Sequence, residues 1–253
     1  HFKIVSFSGP LQQTDGTEKT EQNVSPNPEL YEKLKKETEY IYPYLRLGQV
    51  RAKTAASEIA AAPFERKYAA MSRPAFLGKG GLTPAERGTA LHAYMQYVDY
   101  KTAASNPEAE LERLYKEAYL TKEQADAVDI NKIKHFFASP LAKRILNSKK
   151  VLREYRFTIE IPASRLDISL PPDMGQEPVV VQGAIDCAFE EADGLVLLDY
   201  KTDREKNPDK LRDRYQVQLM LYKEALTQCT GMPVKECLLY TFSLGKTIIL
   251  SDT

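Results

Sequence analysis

Cysteine is scarce and unpaired in this chain. Its 253 residues include three, Cys187, Cys229 and Cys237. An odd count without paired short spacing excludes a disulfide framework and a cysteine-rich zinc site. Three thiolates also fall short of the usual complement of an iron–sulfur cluster. Cys187 follows an aspartate on an apolar stretch and reads as a small buried residue facing away from it. Net charge is missing too: 35 Lys and Arg balance 35 Asp and Glu. A whole-chain basic signature of nucleic-acid binding is therefore absent. No apolar run reaches ~18 residues, so no membrane-spanning helix is expected. Residues 1 to 20 lack the basic segment, apolar core and small-residue cleavage site of a signal peptide, so none is expected. The sequence has no internal repeat and no Walker A motif. It begins with His rather than Met, so a fragment or trimmed chain is expected.

A hydrophobic content of 43% suits one medium globular domain, or one domain with an appended arm. The expected division is an arm over residues 1–40, partly disordered or helical, and a domain over 41–253. Residues 8–29 are rich in Ser, Thr, Gln, Asn, Gly and Pro and read as a loop or a poorly ordered arm. A helix is expected over 29–41, ended by Tyr42-Pro43-Tyr44, and a short alanine-rich helix over Lys53–Ala62, stopped by Pro63. Residues 71–82 read as a Gly/Pro loop. Thr83-Pro84-Ala85-Glu86 is a strong helix start, with an N-cap, a first-position proline and a capping glutamate. Leu91, Met95 and Val98 continue that helix as an apolar stripe. The helical part runs over about 83–149. It includes a stripe of Leu111, Leu114, Tyr115 and Ala118, a second capping box at Thr121 and Gln124, and short helices over Asp129–Phe137 and Pro140–Asn147.

The pattern changes at residue 151, where a sheet core over about 151–250 is expected. Val151–Ile161 alternates as a strand, the proline-interrupted stretch 162–177 reads as a loop or bulged hairpin extension, and Val179–Phe189 and Leu195–Lys201 read as strands around an Asp193-Gly194 turn. Lys210–Gln228 is a long amphipathic helix, and Cys237–Phe242 and Lys246–Leu250 are further strands. The fold class is α/β, a mixed sheet flanked by helices. The start of the long helix alternates charge signs, with Arg204, Lys206, Lys210, Arg212 and Arg214 among Asp203, Glu205, Asp209 and Asp213, and reads as a solvated mixed-charge surface. A phosphate-steering patch is the alternative.

The hairpin of residues 183–201 carries the chemistry. It places Asp186 and Asp199 on paired strands, with Lys201 on the same strand face as Asp199, because side chains alternate with a period of two. Two carboxylates and a lysine form a minimal kit for metal-assisted phosphodiester cleavage, which needs activated water and neutralised phosphoryl charge. Mg²⁺ or Mn²⁺ suits Asp186 and Asp199, with the backbone carbonyl of Tyr200 as a possible further ligand. Lys201 could act as a general base or stabilise transition-state charge, and both roles stay open. Four residues join on spacing. Taken singly, His92 is a packed or exposed helix residue and Glu154 a surface carboxylate. Gln218 and Tyr222 share one helix face and read as the polar edge of a leucine core.

The ordered set is Gly88-Thr89-Ala90-Leu91-His92, Glu154-Tyr155-Arg156-Phe157, Gly183 to Asp186, Asp199-Tyr200-Lys201-Thr202-Asp203 and Gln218 to Tyr222. With Tyr42-Pro43-Tyr44 and Arg73-Pro74-Ala75-Phe76, it closely resembles the RecB-type nucleases of the PD-(D/E)XK superfamily, and among them the AddA family of bacterial helicase–nuclease subunits. The resemblance covers about residues 41–250. It implies a restriction-endonuclease-like core, His92, Asp186 and Asp199 as metal ligands, and a catalytic Lys201. Glu154, Gln218 and Tyr222 match family positions that support the site. It also implies single-stranded DNA as substrate, exonucleolytic cutting of the strand with the 3′ end, and double-strand-break repair as context. The implied partners are a helicase domain in the same full-length chain and an AddB-like subunit, in the bacterial cytoplasm. The chain departs from the superfamily in two places. Its name-giving Pro-Asp is Gly-x-x-Asp here, as in the RecB group. Lys53-Thr54-Ala55-Ala56-Ser57-Glu58 replaces a family segment that holds no catalytic position. A stand-alone exonuclease and a cleavage-inactive scaffold of the same fold are the rival readings.

Overall fold

The computed structural model describes residues 27–39, 42, 44–61 and 82–250. Most of the expected loop over 8–29, Pro43, Pro63 and the Arg73-Pro74-Ala75-Phe76 segment lie outside the described residues. The chain divides into two compact units, His1–Leu45 and Arg46–Thr253. In the first, α1 (Pro28–Thr38) starts where Asn27 accepts the backbone N–H groups of Glu29 and Leu30. These are donors that a helix N-terminus leaves unpaired.

The second unit is built on a mixed sheet of β1 (Lys53–Ala55), β2 (Val151–Pro162), β3 (Pro178–Glu191), β4 (Gly194–Lys201), β5 (Val234–Thr241) and β6 (Lys246–Leu250). The order is β1-β3-β4-β5-β6, with β2 also paired to β3. β1 runs parallel to β3 and β4 parallel to β5, and the other pairs are antiparallel. β2 pairs with β3 along its length, so β1 and β4 must share the opposite edge. On that edge β1 covers Val180–Gln182 and β4 covers Cys187–Glu191. Gly183–Asp186 lies between them.

Two apolar cores form on the two faces of this sheet. On one, Leu195, Leu197 and Leu239 pack with Leu219, Ala225 and Leu226 of α10 (Pro208–Thr230). On the other, Val196, Leu198 and Tyr200 meet Leu91, Tyr94 and Met95 of α3 (Pro84–Tyr97) and Phe136 of the helical layer. Apolar cover on both faces explains why β4 reads as an unbroken apolar run rather than an alternating one. The helical layer continues through α4 (Tyr100–Ser105), α5 (Pro107–Lys116), α6 (Lys122–Ala127), α7 (Ile130–Ala138) and α8 (Pro140–Leu146). Both expected capping boxes form, at Thr83 with Glu86 and at Thr121 with Gln124. No described helix is long and apolar enough to cross a membrane.

Three local expectations are corrected. Lys53–Ala62 is not wholly helical: Lys53–Ala55 is β1, drawn into the sheet by parallel pairing to Val180–Gln182, and only Ala56–Ala61 forms α2. Tertiary pairing overrides local alanine preference there. The stretch 162–177 is more ordered than a loop, with a 3-10 turn at Ala163–Arg165 and α9 (Pro172–Gly175). The stripe on α5 is narrower than expected: Leu114 is buried, Tyr115 is exposed, and Ala118 lies past the helix end with φ 59°.

The β3–β4 turn is tied down by charge. Arg144 of α8 bonds both oxygens of Glu191 and also Glu236, and Lys235 pairs with Glu191 and Asp193. The Arg144 hydrogen bond, then Lys235, holds the Glu191 carboxyl down at about 2. A depressed carboxyl contributes stability that is present above its unfolded value and lost as pH falls through the folded one. Urea midpoints measured between pH 5 and pH 2 will therefore fall more steeply for the wild type than for Glu191→Gln. The difference amounts to about 1 kcal/mol after solvent screening.

Candidate active site

Each site residue is placed by a local feature of the chain. His92 sits one turn beyond Gly88 on α3, on the same helix face. A Cβ on Gly88 would stand 3.0 Å from Thr202 Oγ1, so the glycine lets this turn of α3 lie against the exit of β4. Glu154 interrupts β2 with φ 46°, a left-handed conformation that carries a cost of order 1–3 kcal/mol for a non-glycine residue. The register is unchanged from Arg153↔Cys187 to Tyr155↔Ile185, so Glu154 and Asp186 stand opposite each other where the ladder skips a pair. The pleat of β3 shifts there as well. Odd-numbered Val181 and Ile185 face the α10 core, whereas odd-numbered Cys187 and Phe189 face the helical layer.

Asp186 joins three elements. Its Oδ1 lies 3.2 Å from His92 Nδ1, and its Oδ2 accepts the Tyr200 backbone N–H at 2.8 Å. One donor atom each from His92, Glu154 and Asp186 lie within 4.8 Å of one another, a spacing that could hold a metal ion. Asp199 stands outside this trio. It is buried, and its Oδ2 lies 2.8 Å from Lys201 Nζ, an ion pair that is not a hydrogen bond. Lys201 Nζ reaches Gln218 Oε1 at 3.5 Å, and Gln218 Nε2 donates to Tyr222 Oη at 2.8 Å. The structure thus brings together all of His92, Glu154, Asp186, Asp199, Lys201, Gln218 and Tyr222. The Tyr200 side chain lies on the other face of β4, edge-on to the His92 ring at 6.3 Å and packed against Phe136 and Phe242.

Electrostatically the site is short of positive charge. Burial pushes Asp199 up, Lys201 pulls it back, and the Asp186 charge pushes it up again, leaving it at about 6. Burial, then Asp186, also raises Glu154. Burial works against Asp186, but its bond to His92 and that residue's charge hold it below the ordinary carboxylate value. Burial lowers His92, and the Asp186 hydrogen bond and charge outweigh it, so the imidazole is raised. Buried Cys187 is pushed up to about 12 and stays a thiol, which agrees with its reading as a packing residue.

A family model described as the PD-(D/E)XK nuclease superfamily matches residues 55–247. The chain belongs to the PD-(D/E)XK nuclease superfamily. It is similar to proteins named as subunits of an ATP-dependent helicase/nuclease. The one from Acetivibrio thermocellus is 37% identical over 238 residues, 86% of this chain and 18% of that protein. The Thermoanaerobacter sp. protein is 38% identical over 234 residues, 86% of this chain and 19% of the relative. That of Clostridium botulinum is 40% identical over 186 residues, 72% and 14% respectively. The chain therefore spans less than a fifth of the length of these relatives.

The glycine of the Gly183 to Asp186 motif has a steric reason here. Gly183 faces Phe157 across the β2–β3 pair, and a Cβ there would come within 2.7 Å of that ring. The Phe157 ring in turn packs edge-on against Tyr222 at 5.6 Å. The glycine, phenylalanine and tyrosine of three separate motifs are thus one contact chain. Sequence reasoning named Thr202 only as part of its motif and passed over Tyr215. Tyr215 could have been found from its position three before Gln218 and seven before Tyr222, on the same helix face. Gly88→Val will force α3 off Thr202 and weaken divalent-metal binding at least tenfold by titration, and Gly88→Ala, whose Cβ must displace the Thr202 hydroxyl, will weaken it less.

Proposed function

We propose that this chain is the divalent-metal-dependent deoxyribonuclease module of a helicase–nuclease acting in double-strand-break repair and recombination. The observation that carries the reading is the His92–Glu154–Asp186 donor trio beside the Asp199–Lys201 pair. The donor set suits Mg²⁺ or Mn²⁺, since it offers hard carboxylate oxygens with one imidazole nitrogen and a local excess of negative charge. In this reading His92, Asp186 and Asp199 are metal ligands, with Glu154 and the Tyr200 carbonyl completing the set. When bound, the ion supplies Lewis acidity toward water and the phosphoryl oxygens.

The chain's own residues do the rest. Lys201, held between Asp199 and Gln218, places a fixed positive charge where the phosphoryl group becomes more negative. Gln218 and Tyr222 keep its long side chain from swinging free. Burial of Asp199 and Tyr200 limits water on the inner side of the site. The substrate is single-stranded DNA cut exonucleolytically, and strand delivery comes from a helicase domain in the full-length chain working with an AddB-like subunit in the cytoplasm. The zero net charge and the missing Walker A motif fit a module that is handed its strand. In this reading the nuclease module is residues 41–253.

Asp186→Ala, Asp199→Ala and Lys201→Ala will each lower cleavage of single-stranded DNA in Mg²⁺ or Mn²⁺ by about 10²-fold or more, with circular dichroism retained. Wild-type cleavage by the Asp199→Ala protein would remove the assignment. Absence of Mn²⁺ binding by the wild-type chain would favour a scaffold instead.

A further inference from the structure

Lys201 has a third neighbour that the motif set does not name. Its Nζ lies 4.3 Å from the centroid of the Tyr215 ring. The ammonium therefore sits among the Asp199 carboxylate at 2.8 Å, the Gln218 amide oxygen at 3.5 Å and the face of an aromatic ring. Tyr215 precedes Gln218 by three residues and Tyr222 by seven on α10, so a single helix face supplies all three. The ring is itself held. Tyr215 Oη donates to Asp203 Oδ2 at 2.6 Å, and Asp203 Oδ1 pairs with Arg214 at 3.3 Å. Asp203 lies two residues past Lys201, on the segment that leaves β4. The contact therefore latches the strand exit to the helix directly beside the lysine.

We infer that Tyr215 is a positioning residue for the proposed cleavage, holding the Lys201 ammonium in place through its ring face while Asp203 fixes the ring. The inference rests on the reading of Lys201 as part of the cleavage machinery. Its physical basis is simple. A lysine has a flexible four-carbon stem and a point charge, and loses reach and direction unless walled in. Asp199 attracts the ammonium from one side only. A ring face attracts a cation through its quadrupole and also bars water from that side. This attraction belongs to the ring, so it survives loss of the hydroxyl and disappears with loss of aromaticity.

The test compares Tyr215→Phe with Tyr215→Leu and Tyr215→Met in the whole chain, using single-stranded DNA with Mg²⁺, Mn²⁺ titration, thermal unfolding and the Lys201 ε-methylene proton resonances. Leu and Met variants will lose about tenfold or more in kcat, roughly 1.4 kcal/mol. KM for DNA and Mn²⁺ affinity will stay within about twofold. The Phe variant will stay within about threefold of wild type. The Lys201 resonances will lie upfield in wild type and Tyr215→Phe and move downfield in the other two. If either aliphatic variant does not fold, the other carries the comparison. Wild-type kcat in a folded Leu or Met variant would overturn the inference, as would a Phe variant as impaired as they are, or losses confined to KM or Mn²⁺ affinity. Lys201→Ala in the same assay separates the two levels. If Lys201→Ala is inactive and the aliphatic variants are fully active, only the role of Tyr215 falls. If Lys201→Ala cleaves at the wild-type rate, the lysine's place in the site falls with it.

Discussion

The arrangement depends on one carboxylate. Asp186 lies where β3 has run out of partner on one edge, after the residues paired to β1 and before those paired to β4. Backbone groups at such a departure need other partners. The Asp186 side chain supplies one by accepting the Tyr200 N–H, and with its other oxygen it reaches His92. A strand end, a neighbouring strand and a helix from the opposite layer are joined through a single side chain. Among the described residues, the cations acting on Asp186 are Lys201, already engaged with Asp199, and the His92 imidazole, so its negative charge is only partly balanced. A site assembled this way is tied together at Asp186, leaves the buried Asp199 Oδ2 without a hydrogen bond, and stays electrostatically open to a cation.

The glycines at the site follow the same logic of close approach. Gly88 brings α3 against β4 at Thr202, and Gly183 lets the Phe157 ring lie over the strand and reach Tyr222. Both belong to motifs that also contain a charged site residue, three or four positions away. The spacing within each motif is thus the distance between a contact that sets the backbone and the side chain that the contact aims.

Much of this was legible from the chain. Capping chemistry announced α3 and α6, the double-sided apolar run announced β4, and a period of two put Asp199 and Lys201 on one face. Legibility failed where the determinant was remote. Lys53–Ala55 became a strand because of residues more than a hundred positions later, and nothing local in an alanine-rich stretch records that. The left-handed backbone of Glu154 was equally silent, because it is imposed by the irregular pairing around Asp186 rather than by its own preference. Tyr215 was passed over for a different reason: its contact is a ring face against an ammonium, and no fixed spacing in the strand advertises it.

The parallel pairing of β1 to β3 has a consequence for how the protein comes into being. β1 and its partner stretch are separated by more than a hundred residues, and the site draws on α3, β2, β3, β4 and α10. Contacts of such high sequence separation form late, after the loop-closure entropy has been met. A full-length chain that is only partly folded therefore carries the donor groups before α3, β2 and β3 have brought them within range of one another. The donor trio and the Asp199–Lys201 pair therefore come into range only as elements distant in sequence assemble.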